Sequence, residues 1–163
     1  VFCVLAFSLR RPKTALVYEK NGIDLKLGKS NTIRDGNDVT VIACGLMVPE
    51  AVEASDMLKK NGISCRVIDM FTLKPIDKDA IVKAAKDTGA IVTAEEHNIY
   101  GGLGSAVAEV LVENYPTPMR RVGVKDPFGE SGEHDELLAK YGPTANDIAR
   151  TVQELVKEKK RSR

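Results

Sequence analysis

Residues 90–110 read AIVTAEEHNIYGGLGSAVAEV and join a strand pattern to a helix pattern. The stretch opens with an apolar, β-branched run at residues 91–93, which is typical of a buried strand. It closes on apolar residues at the spacing of an amphipathic helix, namely Leu103, Ala106, Val107 and Val110. A strand that turns into a helix indicates half of a βαβ unit, with the polar residues placed at the turn.

The same alternation recurs along most of the chain. We predict strands at residues 15–18, 39–43, 64–70, 90–94 and 119–124, and helices at about 48–60, 77–89, 101–114 and 144–157. Near-continuous apolar runs are typical of strands that are covered on both faces. The sequence therefore predicts an α/β fold, a three-layer, doubly wound, mainly parallel five-stranded sheet with helices on both faces.

Both ends of the chain are expected to lie outside this regular unit. Residues 1–9 are apolar and are predicted to be a strand of something upstream, so we expect the chain to be a fragment. Residues 15–37 are expected to form a linker with an edge strand, because residues 20–38 are polar and rich in glycine. The domain is expected to span residues 38–157, and residues 158–163 to form a basic, solvated tail.

Composition excludes more than it proposes. The 163 residues suit one domain, and 24 Lys and Arg against 23 Asp and Glu leave a net charge of +1. That balance gives no general attraction to nucleic acid or membrane, and we expect neither as a partner. The three cysteines, Cys3, Cys44 and Cys65, have no CxxC spacing, so we expect reduced thiols in a cytoplasmic protein and no metal site.

Glu95, Glu96 and His97 form the densest group of ionisable side chains at a predicted strand end. Because alternate side chains of a strand point to opposite faces, Glu95 and His97 are expected to share a side that Glu96 opposes. A carboxylate beside an imidazole can act as an acid and base pair, whereas the alternative is a set of interface or capping hydrogen bonds. The residues alone leave both interpretations open.

Two explanations fit the glycines Gly101, Gly102 and Gly104, namely binding of an anion and formation of a tight turn. Their amides could meet an anion at the start of the next helix. The stretch is not the dinucleotide fingerprint, because Val107 stands where the third glycine belongs. Glycines required for a tight strand-to-helix turn are the alternative explanation.

Taken together, these motifs resemble the carboxyl-terminal domain of transketolase and its relatives. The resemblance covers residues 38–156 and rests on DVTVIACG, RVIDMFTLKPID, IVTAEEHNIYGGLGSAVAEVL, MRRVGVKDPFGESG and TANDIARTVQELV, in that order. It is strongest to the split transketolases, whose two halves are separate chains. The family also includes deoxyxylulose-phosphate synthases and the β subunits of 2-oxo acid dehydrogenases, and both remain alternatives.

The resemblance implies a function for the parent enzyme rather than for this domain. Transketolases move a two-carbon ketol unit between sugar phosphates, using thiamine diphosphate and a divalent metal such as Mg²⁺ that their first two domains bind. The resemblance therefore implies no catalytic residue here and an isolated chain that is inactive. It also implies a homodimer, or assembly with an amino-terminal transketolase section.

The resemblance assigns roles to two further segments. Residues 1–14 correspond to the end of the preceding, pyrimidine-binding domain, where an arginine of the family binds the sugar phosphate; the matching residue is Arg10 or Arg11. Glu95, Glu96 and His97, with the following glycines, are expected to form an interface or regulatory surface. A rival hypothesis is a free-standing module that binds an anion or nucleotide at this turn.

Overall fold

The computed structural model describes residues 17–18, 25–125 and 143–161. These residues form one sheet of five strands and four helices. The strands are β1 (Asn31–Arg34), β2 (Val39–Ala43), β3 (Cys65–Asp69), β4 (Ile91–Asn98) and β5 (Met119–Val124). The helices are α1 (Met47–Lys60), α2 (Lys78–Thr88), α3 (Leu103–Asn114) and α4 (Ala145–Arg161).

The strand order is β1-β3-β2-β4-β5. Strands β3, β2, β4 and β5 run parallel, and β1 is an antiparallel edge. From β2 the chain moves to β3 on one side, then crosses back to β4 and β5 on the other. The sequence of connections therefore reverses between β2 and β4, which makes the carboxyl ends of these two strands a topological switch point.

Helices cover both faces of the sheet because successive strand residues point to opposite sides. Val41 packs in the core under α1 and α4, whereas the next residue, Ile42, packs in the core under α2 and α3. Both are completely buried, and each such side chain contributes about 1.5 to 3 kcal/mol of burial free energy. The predicted three-layer, doubly wound α/β fold is confirmed.

Helix ends follow the sequence signals. The Asp77 side chain accepts a hydrogen bond from the Ala80 amide at 3.2 Å, as expected for the start of α2. Gly89 ends that helix in the left-handed conformation, with φ of 61°. At α4, the Asp147 amide donates to Thr144 Oγ1 at 3.4 Å, as expected for a threonine at the start of a helix.

The edge strand lies elsewhere than predicted. Strand β1 falls inside the segment expected to be linker, whereas Val17 and Tyr18, the described half of the predicted edge strand, are not in the sheet. Side chains hold this segment in place, since the Ser30 amide and hydroxyl both donate to Asp77 Oδ2, at 2.9 and 3.0 Å. Polar composition correctly suggested exposure but did not reveal these bonds.

The described part of the basic tail is helical, and its residues are exposed except for Lys159, which is half-buried. Helix α4 continues to Arg161, four residues beyond the predicted end. Lys159 Nζ donates to the carbonyl oxygens of Asp38, at 2.8 Å, and Thr88, at 2.5 Å. The tail therefore fastens the last helix to the start of β2 and to the end of α2.

Within residues 17–18, 25–125 and 143–161, none of the helices combines the length and the apolar character needed to span a bilayer.

Candidate functional site

The turn from β4 into α3 lies at the switch point between β2 and β4. Gly45, just beyond β2, is close enough that a β-carbon there would lie 3.6 Å from Glu96 Oε1. Parallel α/β sheets usually meet their ligands and partners at this edge. The fold therefore places the predicted site residues Glu95, Glu96 and His97 where a functional surface is expected.

Glu95 is buried and caps helix α3. It lies in the carboxyl-terminal half of β4, and only 2% of the residue is exposed. Oε2 accepts the Leu103 amide at 2.8 Å, and Oε1 accepts the Gly104 amide at 2.9 Å. A carboxylate at a helix start satisfies donors that have no partner within the helix and complements the helix dipole.

This cap bears directly on the rival hypothesis of an anion pocket. The Leu103 and Gly104 amides, which such a pocket would need at the start of α3, already bond to Glu95. The Gly101 amide donates to Ser105 Oγ at 2.9 Å. Since these donors are occupied within the chain, the turn favours the structural explanation of its glycines.

Two of the glycines are required by close packing. A β-carbon at Gly102 would lie 1.8 Å from Glu95 Oε2, and one at Gly104 would lie 2.6 Å from Arg121 Cδ and 2.9 Å from Thr93 Oγ1. Such distances are far below van der Waals contact. Gly101 has open space around it but a φ of 75°, which favours glycine for the backbone alone.

The expected pairing of Glu95 with His97 is wrong. His97 Nε2 lies 3.6 Å from Glu96 Oε1, and the His97 side chain is 64% exposed while that of Glu96 is 9% exposed. Strict alternation fails because the strand bulges. From Ala94 to Asn98 the chain advances four residues along β4, while the partners on β5 advance two, from Val122 to Val124.

Sequence reasoning missed the pair formed by Tyr100 and Arg121. The Arg121 guanidinium lies 5.5 Å from the centre of the Tyr100 ring, and its Nη1 atom donates to the Ile99 carbonyl at 2.8 Å. Arg121 reaches the turn from β5, 21 positions further along the chain. The sequence offers only a weak signal, namely two arginines, Arg120 and Arg121, within a strand whose other residues are apolar or small.

A second polar contact lies at the carboxyl end of β3. Burial raises the pKa of the Asp69 carboxyl, and a hydrogen bond from the Tyr18 hydroxyl opposes that rise. Burial and the bond to Asp69 raise the pKa of Tyr18 to about 12. The contact joins residues 51 positions apart and secures the segment before β1 to the sheet edge.

Other predicted features lie outside the described residues. These are Arg10 and Arg11, the expected phosphate ligands, together with Cys3 and residues 1–14. Among the described residues, there is no group of three His, Cys, Asp or Glu side chains that could hold a metal ion. At the turn, the Glu95 carboxylate is engaged with backbone amides and that of Glu96 lies beside His97.

The family model described as "Transketolase, C-terminal domain" matches residues 28–148. The chain belongs to the transketolase family. The matched region contains all five strands, the first three helices and the start of the fourth. The family resemblance predicted from the motifs is therefore confirmed.

Two curated transketolase-family relatives are similar over most of this chain. A 6-deoxy-6-sulfo-D-fructose transketolase subunit of Clostridium sp. (strain MSTE9) is 46% identical over 151 residues, which are 93% of this chain and 46% of the relative. An apulose-4-phosphate transketolase subunit of Phocaeicola vulgatus is 46% identical over 142 residues, 87% of this chain and 45% of the relative. The chain thus spans about half the length of these relatives.

A solved transketolase structure shares the fold closely. It is described as a split-gene transketolase in an inactive β4 tetramer, with 49% identity and a TM-score of 0.84. The alignment covers 88% of this chain and 47% of that one. The present domain therefore corresponds in structure to one part of the split-gene transketolase chain, in agreement with the family model.

Proposed function

We propose that this chain is the carboxyl-terminal domain of an enzyme that transfers a two-carbon ketol unit between sugar phosphates. The observation that carries the proposal is the 46% identity, over 93% of the chain, to a subunit of a transketolase. The parent enzyme uses thiamine diphosphate and Mg²⁺, which its other domains bind. The domain itself supports assembly and the approach to the active site, and the isolated chain is inactive.

The carboxyl edge of β4 is the surface through which the domain acts on its neighbours. Glu95 serves as a scaffold, since its carboxylate holds the start of α3. His97 and Tyr100 project from that scaffold, with His97 64% exposed in its side chain and Tyr100 64% exposed as a residue. Glu96, Gly101, Gly102 and Gly104 shape the same surface, whose role is contact with a partner domain or regulation.

The partners are a second copy of the chain and an amino-terminal transketolase section, in the cytoplasm. Self-association is supported by the similar split-gene transketolase, which is described as a β4 tetramer. The named substrates of the two curated relatives differ, one a sulfofructose and the other apulose 4-phosphate. Apulose 4-phosphate is a sugar phosphate, and we propose that class for the parent enzyme, with the particular donor and acceptor to be identified by measurement.

Reconstitution tests this function. The chain is combined with the two preceding transketolase domains, thiamine diphosphate and Mg²⁺, and ketol transfer is measured with a panel of phosphorylated ketoses and aldoses. We expect transfer by the mixture and none by either component alone. Transfer that is equally fast without this chain, or absent with every pair of sugars, would contradict the proposal.

The phosphate-binding role of Arg10 or Arg11 has its own test in the reconstituted enzyme. Replacing the correct arginine by Met should raise KM for a phosphorylated acceptor at least about tenfold, because a bidentate pair with phosphate is lost. The KM for the same sugar without phosphate should change little. Equal changes for both sugars would indicate a structural role instead.

A further inference from the structure

Tyr100 is an exposed aromatic side chain on a backbone that is held in place. The residue is 64% exposed, yet its amide donates to Asn98 Oδ1 at 2.9 Å. The neighbouring Ile99 is buried, and its amide donates to the Val124 carbonyl at 3.0 Å. Because the turn is already ordered, binding through Tyr100 would lose little conformational entropy.

Arg121 fixes the Tyr100 ring from within the same chain. Its guanidinium lies 5.5 Å from the ring centre, and its bond to the Ile99 carbonyl, at 2.8 Å, keeps it there. The absence of a side chain at Gly104 leaves room for the arginine stem. Tyrosine and arginine are among the residue types most enriched in the side chains that dominate binding energy at protein interfaces.

We propose that Tyr100, backed by Arg121, is the anchor through which two copies of this chain associate. This inference rests on the self-association proposed above and names the surface that carries it. In a two-fold interface the same patch meets itself, so each tyrosine ring can pack against the ring and guanidinium of the other copy. The net charge of +1 presents little overall repulsion between copies.

Tyr115 provides a matched control at the other end of α3. It follows the last turn of that helix, is 41% exposed, and has Lys86 Nζ 5.8 Å from its ring centre. It therefore shares residue type, exposure and a cationic neighbour with Tyr100, which precedes the first turn. A contribution from exposed tyrosine in general would affect both positions alike.

The test is sedimentation velocity of the 163-residue chain over a range of concentrations. We expect the parent chain to associate, Tyr100→Ser to weaken association roughly 10- to 30-fold, and Tyr115→Ser to leave it within about twofold. Tyr100→Phe should retain association, because the ring is preserved. The thermal unfolding midpoint of each variant shows whether the substitution has altered the stability of the fold.

The proposal is overturned if the parent chain stays monomeric, if Tyr100→Ser associates as tightly as the parent, or if Tyr115→Ser weakens association equally. The reconstitution assay is read separately. If ketol transfer is restored while Tyr100→Ser remains fully associated, the anchor assignment fails and the proposed function stands. If no ketol transfer is restored while the Tyr100→Ser variant no longer self-associates, the anchor assignment stands and the proposed function fails.

Discussion

The buried carboxylate of Glu95 leaves no space for a side chain at Gly102, where a β-carbon would lie 1.8 Å from Oε2. The two residues come from opposite sides of the turn between β4 and α3. Glu95 can bond the first amides of α3 only if the backbone at position 102 carries no side chain. The acidic residue and the glycine therefore form one structural unit.

Gly102→Ala should destabilise the domain by about 2 to 4 kcal/mol, because the added methyl group must displace a carboxylate that holds two amides. Gly101→Ala is the control, with open space but a φ of 75°. It should cost only about 1 to 2 kcal/mol. Urea unfolding measures both, and an equal loss at the two positions would contradict the close-packing explanation.

Glu95→Gln should lower the free energy of unfolding by about 1 to 3 kcal/mol. The amide keeps the shape but loses the negative charge at the start of α3 and supplies only one acceptor oxygen. Glu109→Gln, at an exposed position in the same helix, is the matched control and should change little. Hydrogen exchange at Leu103 and Gly104 should accelerate only in the Glu95 variant.

The pH dependence of stability should reveal Asp69. Burial raises the pKa of its carboxyl above the value of about 3.9 in an unfolded chain. Between those two pKa values the folded state holds more protons, so this group's contribution is complete below about pH 3.9 and is lost as pH rises through the folded pKa. Asp69→Asn cannot ionise, so its stability relative to the parent should increase over the range in which pH rises above about 3.9 and through the raised pKa of Asp69. A constant difference across that range would contradict this account.

Thiol labelling should separate the two described cysteines. Cys65 is 3% exposed, and burial raises the pKa of its thiol to about 12, whereas Cys44 is half-buried. Since the thiolate is the reactive form, iodoacetamide at about pH 8 should modify Cys44 first and Cys65 only after unfolding. Peptide mass spectrometry reads each site, and equal labelling rates in the native chain would show that Cys65 is accessible.

Replacing Lys159 tests the attachment of the last helix. Lys159→Met keeps an apolar stem but removes the donor to the Asp38 and Thr88 carbonyls, and should cost about 1 to 2 kcal/mol. Lys160→Met, on the exposed side of α4, should cost little. Chemical denaturation gives both values, and similar losses would mean that only the general basic character of the helix matters.

Local patterns predicted most of the fold because hydrophobic period and helix caps act over a few residues. The β5 strand, the Asp77 cap and the glycine that ends α2 all follow from such signals. Side-chain bonds between distant segments were not predictable in that way. Glu50 bonds the Ala145 amide at the start of α4, 95 positions away, and nothing local to either residue indicates it.

The sequence predicted where the residues of the candidate site lie in the fold, but it did not predict how their side chains are oriented. The sequence located Glu95, Glu96 and His97 at a strand end, and the structure puts them at the switch point. Their orientation was missed because alternation assumes a regular strand, whereas β4 bulges after Ala94. Arg121 was missed since its contact with Tyr100 depends on which strand adjoins β4.

The bond from Lys159 to Asp38 also constrains the order in which the domain can be completed. These residues are 121 positions apart, and α4 covers the same sheet face as α1. While the ribosome still holds α4, apolar side chains of this cluster such as Val41 and Val92 lack the contacts that α4 provides. The nascent domain therefore exposes an apolar sheet face until α4 has emerged from the ribosome. A chain truncated before α4 should be prone to aggregation for the same reason.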